Sequence, residues 1–268
     1  MSMITWWENL VPRNAVALLK NSGRRDFPAK EIREVVVFFV DIEGCTRLCE
    51  DLPPRETNEV RETYFSEYLD IVRAEGGEVT EVLGDGLLAL FEGPDIKENV
   101  HAALTAARRI QVRTAGLNRR RRSRHDPILV NIGLNAGPAL TGLTRLRGRS
   151  GERWVYSASG PVTNVAARLA ALAHGGQALT TKATVDLLGC KCRSIGPHVL
   201  KNVTGVIDVV EILPIEDKKQ EASDAGTKIR SQREESRAGR RDHDREARSR
   251  RQHASADLAG RKAIKRNP

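Results

Sequence analysis

The sequence predicts an α+β fold in a single domain over residues 32–213. Three observations lead to this class and to these domain boundaries. Strand-like and helix-like patterns alternate through these residues. Hydrophobic residues make up 40% of the chain, enough for a core. Residues 214–268 are charged and contain no aromatic side chain, so little apolar burial could offset their ordering entropy. We therefore expect an N-terminal helix and linker (1–31), the domain (32–213) and a basic, low-aromatic disordered tail (214–268).

The segment before the domain has helical spacing of its apolar residues. Over residues 4–21, a stripe of Val11, Ala15, Leu18 and Leu19 repeats at this spacing, and Pro12 starts or kinks the helix. We expect this helix to pack on the domain or on a partner.

The sequence of the first half of the domain predicts a strand, a long helix and a hairpin. "EVVVFFVDI" is a buried strand that ends at Asp41 and Ile42. The helix that follows is begun by proline and closed by Gly76 and Gly77. "EVTEVLGDGLLALF" predicts two strands joined at Gly84, Asp85 and Gly86.

The second half continues the alternation. Its predicted elements are a helix over residues 95–116, an arginine-rich loop, the strands "ILVNIGLNAGPAL" and "WVYSAS", a helix over residues 161–173, a short strand, a short helix from Lys182 and a final strand "GVIDVVEI". This order resembles a ferredoxin-like α+β sandwich with additions.

Composition also bears on the compartment. The longest apolar run, "VVVFFV", is far shorter than the roughly 20 residues of a membrane-spanning helix. The N-terminus lacks a secretory pattern, so we expect a cytoplasmic protein. Cys45 and Cys49 lie one helical turn apart, and Cys190 and Cys192 lie on one face of an expected strand. This spacing fits no usual zinc site and favours reduced, buried cysteines.

The net charge of +9 is unevenly distributed. Residues 216–268 hold 16 Lys and Arg against 10 Asp and Glu, which leaves 28 against 25 for the rest of the chain. The tail could contact an anionic surface such as nucleic acid or lipid, but no aromatic platform accompanies its charges. A solvated extension is the simpler interpretation, and there is no strong case for a nucleic-acid or membrane partner.

Two aspartates are candidate metal ligands. Asp41 lies where a strand ends, and Asp85 lies at the tip of a hairpin 44 residues later. A helix and one strand between them would bring both carboxylates to one edge of the sheet, where such a pair can hold Mg²⁺ ions beside phosphate. Just beyond, "EGCTRL" begins a helix whose free N–H groups could receive phosphate oxygens. Alone, however, Asp85 is also an ordinary turn former.

A later stretch, "SASGPVTNVAARLAAL", adds the decisive polar pair. Asn164 and Arg168 are four residues apart and share one helix face. Asparagine can orient a sugar hydroxyl, and arginine can stabilise charge on a phosphoryl group. The chain contains neither the phosphate-loop motif nor G-x-G-x-x-G, so the two common nucleotide folds are not supported.

Taken together, these motifs resemble the catalytic domain of the class III adenylate and guanylate cyclases. The resemblance covers about residues 32–213. Its carriers, in the family's order, are "FFVDIEGCTRL", "GGEVTEVLGDGLLALF", "VNIGLNAGPALTG", "SASGPVTNVAARL" and "LKNVTGVIDVVEI".

The resemblance implies metal and phosphate roles. Asp41 and Asp85, with the Ile42 carbonyl, would bind two Mg²⁺ or Mn²⁺ ions per site. The ribose 3′-hydroxyl of a nucleoside triphosphate would attack the α-phosphorus in line, and pyrophosphate would leave. Phosphate oxygens would contact the helix start at Gly44, Cys45 and Thr46, and also Lys201.

The resemblance also implies a shared site. Arg168 would stabilise the transition state, and Asn164 would position the ribose. Family members build each site from two subunits, so a homodimer is implied in which one chain supplies the metal aspartates and the other supplies Asn164 and Arg168.

Two positions bear on the choice of purine. Glu81 stands where adenylate cyclases of the family usually carry lysine, and Ser157 stands at the second base-reading position. A carboxylate can accept hydrogen bonds from N1–H and the N2 amino group of guanine, whereas adenine presents an acceptor at N1. We therefore expect GTP to be slightly favoured, with ATP as the alternative substrate.

The chain departs from the family pattern at several positions. Asn202 replaces a usual glycine, Pro161 and Thr163 are uncommon before Asn164, and the segment "TRLRGRSGERW" is unusually basic.

Two other functions are open alternatives. "GGEVTE" looks like the motif of diguanylate cyclases, but its glycines precede the strand instead of forming the hairpin. A catalytically inactive cyclase-like module that binds nucleotide or a partner would not need the retained set of Asp41, Asp85, Asn164 and Arg168.

Overall fold

The computed structural model describes residues 11–21, 29–121, 126–190 and 192–214. Its helices are α1 (Arg13–Asn21), α2 (Cys45–Asp51), α3 (Pro54–Ala74), α4 (Ile96–Arg120), α5 (Pro161–Leu172) and α6 (Lys182–Asp186). Its strands are β1 (Glu31–Ile42), β2 (Glu78–Leu83), β3 (Gly86–Phe91), β4 (Val130–Gly148), β5 (Gly151–Ser159), β6 (Ala178–Thr181), β7 (Arg193–His198) and β8 (Ile207–Glu211). Apart from Pro214, the predicted tail lies outside the described residues.

The strands form one mixed sheet. Its order is β2-β3-β1-β4-β6-β8-β7, and β5 pairs with β4 outside this path. The β4–β6 pair is parallel, and the other pairs are antiparallel. The predicted α+β class is confirmed. No helix among the described residues is long and apolar enough to cross a membrane.

The central strand β1 divides the helices between two faces. Its alternate residues Val36, Phe38 and Val40 are buried with side chains of α3 and α4. Val35 and Val37 are buried instead with side chains of α1 and α5. Because successive side chains of a strand point to opposite faces, Asp41 belongs to the α1 and α5 face.

Helix α1 packs on the domain, as the sequence predicts. The N–H of Val16 donates to the carbonyl of Pro12, so the proline lies at the helix start. Val11, Ala15 and Leu18 join the cluster that contains Val35 and Val37. The predicted first residues of this helix, 4–10, lie outside the described residues.

Helix α4 and strand β4 extend furthest beyond their predicted ends. Helix α4 continues to Arg120, because Thr114 and Leu117 keep its inward stripe buried. Strand β4 continues to Gly148 and pairs with β5 along the whole basic segment. This segment is therefore a β-hairpin, in which the guanidinium of Arg145 lies 5.3 Å from the ring centre of Trp154.

The cysteine prediction was partly wrong. Strand β7 begins at Arg193, so Cys190 and Cys192 precede the strand on which they were placed. All four cysteines are free, but only Cys45 is buried, while Cys49 is exposed. Gly196 and Pro197 interrupt the apolar pattern of β7, which explains why the expected strand was placed too early in the sequence.

Candidate active site

The sheet brings the two predicted metal aspartates together. Asp41 on β1 pairs with Gly86 on β3, the residue that follows Asp85. The N–H of Ile42 donates to the carbonyl oxygen of Asp85 at 3.0 Å. Gly84 and Asp85 form the two-residue turn between β2 and β3, and Gly84 has a φ of +61°. The predicted meeting of the end of β1 with the hairpin tip is confirmed.

The electrostatics of this edge suit a cation. Burial, and secondarily the charge of Asp85, raise the pKa of Asp41 to about 6. A bound cation would relieve both effects. At Gly86, a Cβ atom would lie 2.9 Å from the Val40 carbonyl oxygen and 3.4 Å from Oδ1 of Asp41, so glycine leaves space beside the carboxylate.

The donor set fits hard divalent ions. Carboxylate and carbonyl oxygens are the ligands that Mg²⁺ prefers. Across the described ranges, no group of three or more His, Cys, Asp or Glu side chains is placed to hold a metal ion. Asp41 and Asp85 are the carboxylates of this edge that could hold such an ion, together with a backbone carbonyl oxygen.

Helix α2 starts directly after this edge. Gly44 is its N-cap, with a φ of 68°, and Cys45 is its first residue. The thiol of Cys45 is buried in the core, and burial followed by the neighbouring Cys49 raises its pKa to about 11. At Cys45, the backbone N–H is therefore better suited to phosphate than the thiol. The side chain of Thr46 lies outside the described residues.

Helix α5 carries the predicted Asn164 and Arg168. Its buried positions include Val165 and Leu169, while Asn164 is exposed and Arg168 half-buried. The Nε of Arg168 donates to the carbonyl oxygen of Lys201 at 3.0 Å. The structure thus brings two predicted phosphate-contacting residues together, although 33 positions separate them in sequence.

The turn at Lys201 explains the departure at Asn202. The N–H of Val203 donates to the Leu200 carbonyl at 3.1 Å, closing a four-residue turn. Asn202, its third residue, has a φ of 61° and is the only non-glycine with positive φ among the described residues. This position favours glycine first and asparagine next, so asparagine can preserve the backbone that presents Lys201.

Within one chain, Asn164 and Arg168 do not point toward the sheet edge where Asp41 and Asp85 meet. Helix α5 crosses β4 so closely that a Cβ at Gly133 would overlap the backbone of Ala166 and Ala170. Asn164 and Arg168 each lie two positions from Ala166, about 200° around the helix. They therefore point away from the sheet that carries Asp41.

The base-reading candidates occupy different parts of the sheet. Glu81 pairs with Leu88, which in turn pairs with Phe39, two residues before Asp41. Glu81 is half-buried on the same face of the sheet as Asp41. Ser157 lies on β5, where its hydroxyl is 2.8 Å from that of Thr144.

The sequence analysis missed one contact at the sheet edge where Asp41 and Asp85 meet. Nη1 of Arg61 on α3 donates to the carbonyl oxygen of Gly84 at 2.9 Å. Arg61 lies among many charged residues of α3 and resembles any solvated helix position. No local motif distinguishes it from Arg55.

Comparison with known proteins identifies the family. The adenylate and guanylate cyclase catalytic domain family matches residues 27–207. The chain belongs to this family. The chain is 27% identical to adenylate cyclase 1 of Rhizobium meliloti over 214 residues, 76% of this chain and 31% of the relative. The chain therefore spans about a third of the length of that curated relative.

Solved cyclase structures share the fold. The adenylyl cyclase CyaB from P. aeruginosa superposes with a TM-score of 0.65 at 22% identity, covering 71% of this chain and 98% of that one. The guanylate cyclase domain of RhGC from Catenaria anguillulae, solved in complex with GTP, gives a TM-score of 0.59 at 19% identity. It covers 69% of this chain and 100% of that one.

Proposed function

We propose that this chain is a nucleotidyl cyclase that forms a 3′,5′-cyclic nucleotide and pyrophosphate from a nucleoside triphosphate, and that it acts in cyclic-nucleotide signalling. The observation that carries the proposal is the meeting of Asp41 and Asp85 at one sheet edge in a member of the cyclase family. We assign catalysis to residues 32–213. Free cysteines and a triphosphate substrate are compatible with the cytoplasm.

The metal-binding residues would be Asp41, Asp85 and the carbonyl of Ile42, holding two Mg²⁺ or Mn²⁺ ions per site. When bound, such ions lower the pKa of a coordinated hydroxyl and neutralise phosphate charge, which assists attack by the ribose 3′-hydroxyl. The raised pKa of Asp41 supports this assignment, because a cation would favour its charged form.

The remaining residues would act on the ribose and the phosphates. The guanidinium of Arg168 would stabilise negative charge that builds on the α-phosphate during in-line attack. Asn164, one helical turn away, would orient the ribose. Lys201 and the backbone at Gly44, Cys45 and Thr46 would bind the outer phosphates. The bond between Arg168 and Lys201 supports a common role for these two residues.

A homodimer with shared sites would complete this arrangement. Asn164 and Arg168 point away from their own sheet, so they suit the metal edge of a second chain better than their own. Each site would then combine Asp41 and Asp85 of one protomer with Asn164 and Arg168 of its partner.

The purine preference rests on Glu81. Its half-buried carboxylate lies on the same face of the sheet as Asp41 and could accept hydrogen bonds from both guanine donors. A mispaired base edge costs roughly 1 to 3 kcal/mol per group, which corresponds to about 5- to 150-fold in discrimination. We therefore favour GTP slightly over ATP. The hydroxyl of Ser157 can donate or accept, so it permits either base.

The proposal is tested with the purified full chain and Mn²⁺, supplied with GTP or ATP in separate reactions. We expect cyclic GMP to form faster than cyclic AMP and both activities to vanish in Arg168→Ala. Faster cyclic AMP formation would overturn the GTP preference alone. Nucleotide binding without either product would favour the inactive-module alternative.

A further inference from the structure

The turn that carries Asp85 is held on both sides. The N–H of Ile42 donates to the Asp85 carbonyl at 3.0 Å, which fixes the peptide unit after Asp85. Nη1 of Arg61 donates to the Gly84 carbonyl at 2.9 Å, which fixes the peptide unit before it. The backbone on each side of the Asp85 Cα atom is therefore restrained, one side by β1 and the other by α3.

The peptide unit between Gly84 and Asp85 needs such a restraint. Two favoured turns of two-residue hairpins, types I′ and II′, differ by a flip of this central unit. The flip reverses the sign of φ at the second turn residue. Here φ is +61° at Gly84 and negative at Asp85. Glycine is suited to the first position of both types, and aspartate tolerates a positive φ, so the turn residues alone do not select one state.

Arg61 is itself held in place for this contact. Its Nη2 donates to Oδ1 of Asn58 at 3.1 Å, and Nδ2 of Asn58 donates to Oε1 of Glu62 at 2.7 Å. These three residues occupy one turn of α3, and the Arg61 side chain is half-buried. A hydrogen bond from a charged donor is about twice as strong as a neutral one. The Gly84 carbonyl therefore faces an oriented, charged donor.

We propose that Arg61 is a positioning residue that selects the peptide orientation at Gly84 in which the Asp85 carboxylate is held near Asp41. Loss of this contact would let the turn flip and would separate the two carboxylates. The inference rests on the proposed role of Asp41 and Asp85 as metal ligands, and its direct readout is metal affinity.

The sign of the effect separates positioning from simple electrostatics. Arg61 is a cation near a site for cations, so removal of its charge would by Coulomb's law strengthen metal binding. Loss of positioning would instead weaken it. From the strength of a charge-assisted hydrogen bond at a partly exposed site, we expect Arg61→Gln to bind Mn²⁺ roughly tenfold more weakly.

The experiment is a Mn²⁺ titration of the full chain, in which the electron paramagnetic resonance signal reports free Mn²⁺. The variants are Arg61→Gln, Arg61→Lys, which keeps the charge but not the forked geometry, and the matched control Arg55→Gln on the same helix. Cyclase activity against Mn²⁺ concentration is measured in parallel, with the thermal unfolding midpoint of each variant as a check of folding.

We expect weaker Mn²⁺ binding in Arg61→Gln, an intermediate loss in Arg61→Lys and no change in Arg55→Gln. Excess Mn²⁺ should restore the turnover of Arg61→Gln. Unchanged or tighter Mn²⁺ binding in folded Arg61→Gln would overturn the inference. If the wild-type chain binds Mn²⁺ but forms no cyclic nucleotide, the proposed function fails. The Mn²⁺ titration then still tests whether Arg61 positions Asp85.

Discussion

The Nε of Arg168 donates a hydrogen bond to the carbonyl oxygen of Lys201 over 3.0 Å, joining α5 to the turn that precedes β8. This bond uses one of the five N–H donors of the guanidinium and leaves the Nη groups available to phosphate. The planar guanidinium can therefore be anchored through one nitrogen and bind through the others.

Arg168→Lys should lower kcat by about 100-fold, because an ammonium cannot reproduce this anchored fork. The KM for the nucleotide should change much less, since Arg168 is proposed to act on charge that develops in the transition state. Steady-state kinetics with GTP and Mn²⁺ provide the measurement. A rise in KM at constant kcat would assign Arg168 to ground-state binding instead.

Asn202→Val should reduce activity without removing any charged group. A β-branched residue is strained at a φ of 61°, so the turn that presents Lys201 should reorganise. Asn202→Gly is the matched control and should retain activity, because glycine adopts this φ readily. Equal activity in the two variants would show that the turn does not position Lys201.

Two inactive variants should restore activity when they are mixed. Asp85→Asn removes one half of the proposed shared site, and Arg168→Ala removes the other half. If subunits assort at random, the mixture should regain about a quarter of wild-type specific activity, because half of the dimers contain one intact site. The measurement is product formation after co-refolding or co-expression. No recovery in a demonstrated heterodimer would contradict the shared site.

Glu81→Lys should shift selectivity toward ATP by at least about tenfold in the ratio of kcat/KM values, since the lysine would donate to the N1 acceptor of adenine. Glu81→Gln, which keeps the size of the side chain, should lie between the wild type and the lysine variant. Ser157 is unchanged in both and could limit the shift. Paired kinetics with GTP and ATP test this, and a constant ratio would remove Glu81 from base recognition.

Asp41→Asn should abolish activity yet stabilise the metal-free protein. Asp41 has a folded pKa of about 6 against an ordinary value of 3.8, so its ionised form is disfavoured in the fold. Its favourable contribution is present below the ordinary value and is lost as the pH rises through 6.

At pH 8 we therefore expect the free energy of unfolding of Asp41→Asn to exceed that of the wild type by about 1 kcal/mol, a value reduced for solvent screening. The difference should shrink as the pH falls toward about 4, where the wild-type carboxyl is protonated in the fold. Urea denaturation at several pH values measures this. Added Mn²⁺ should stabilise only the wild type.

The sequence was sufficient to predict the meeting of Asp41 and Asp85, because strand alternation and a glycine turn locate both. The shared helix face of Asn164 and Arg168 also follows from their spacing. Arg61 could not be predicted, since its partner is a backbone carbonyl, which has no sequence signature. The extension of β4 was missed because its arginines resemble a solvated loop, while the pairing with β5 that orders them is a tertiary property.

The absence of a Cβ atom at Gly133 influences the position of Arg168, although the two residues lie on different elements. Only a hydrogen fits between β4 and the backbone of Ala166 and Ala170, so this position fixes the height of α5 above the sheet. In a saturation library selected for activity, substitutions here should be depleted as strongly as those at Arg168. A survey based on side-chain chemistry alone would overlook the position, although it sets where the guanidinium can reach.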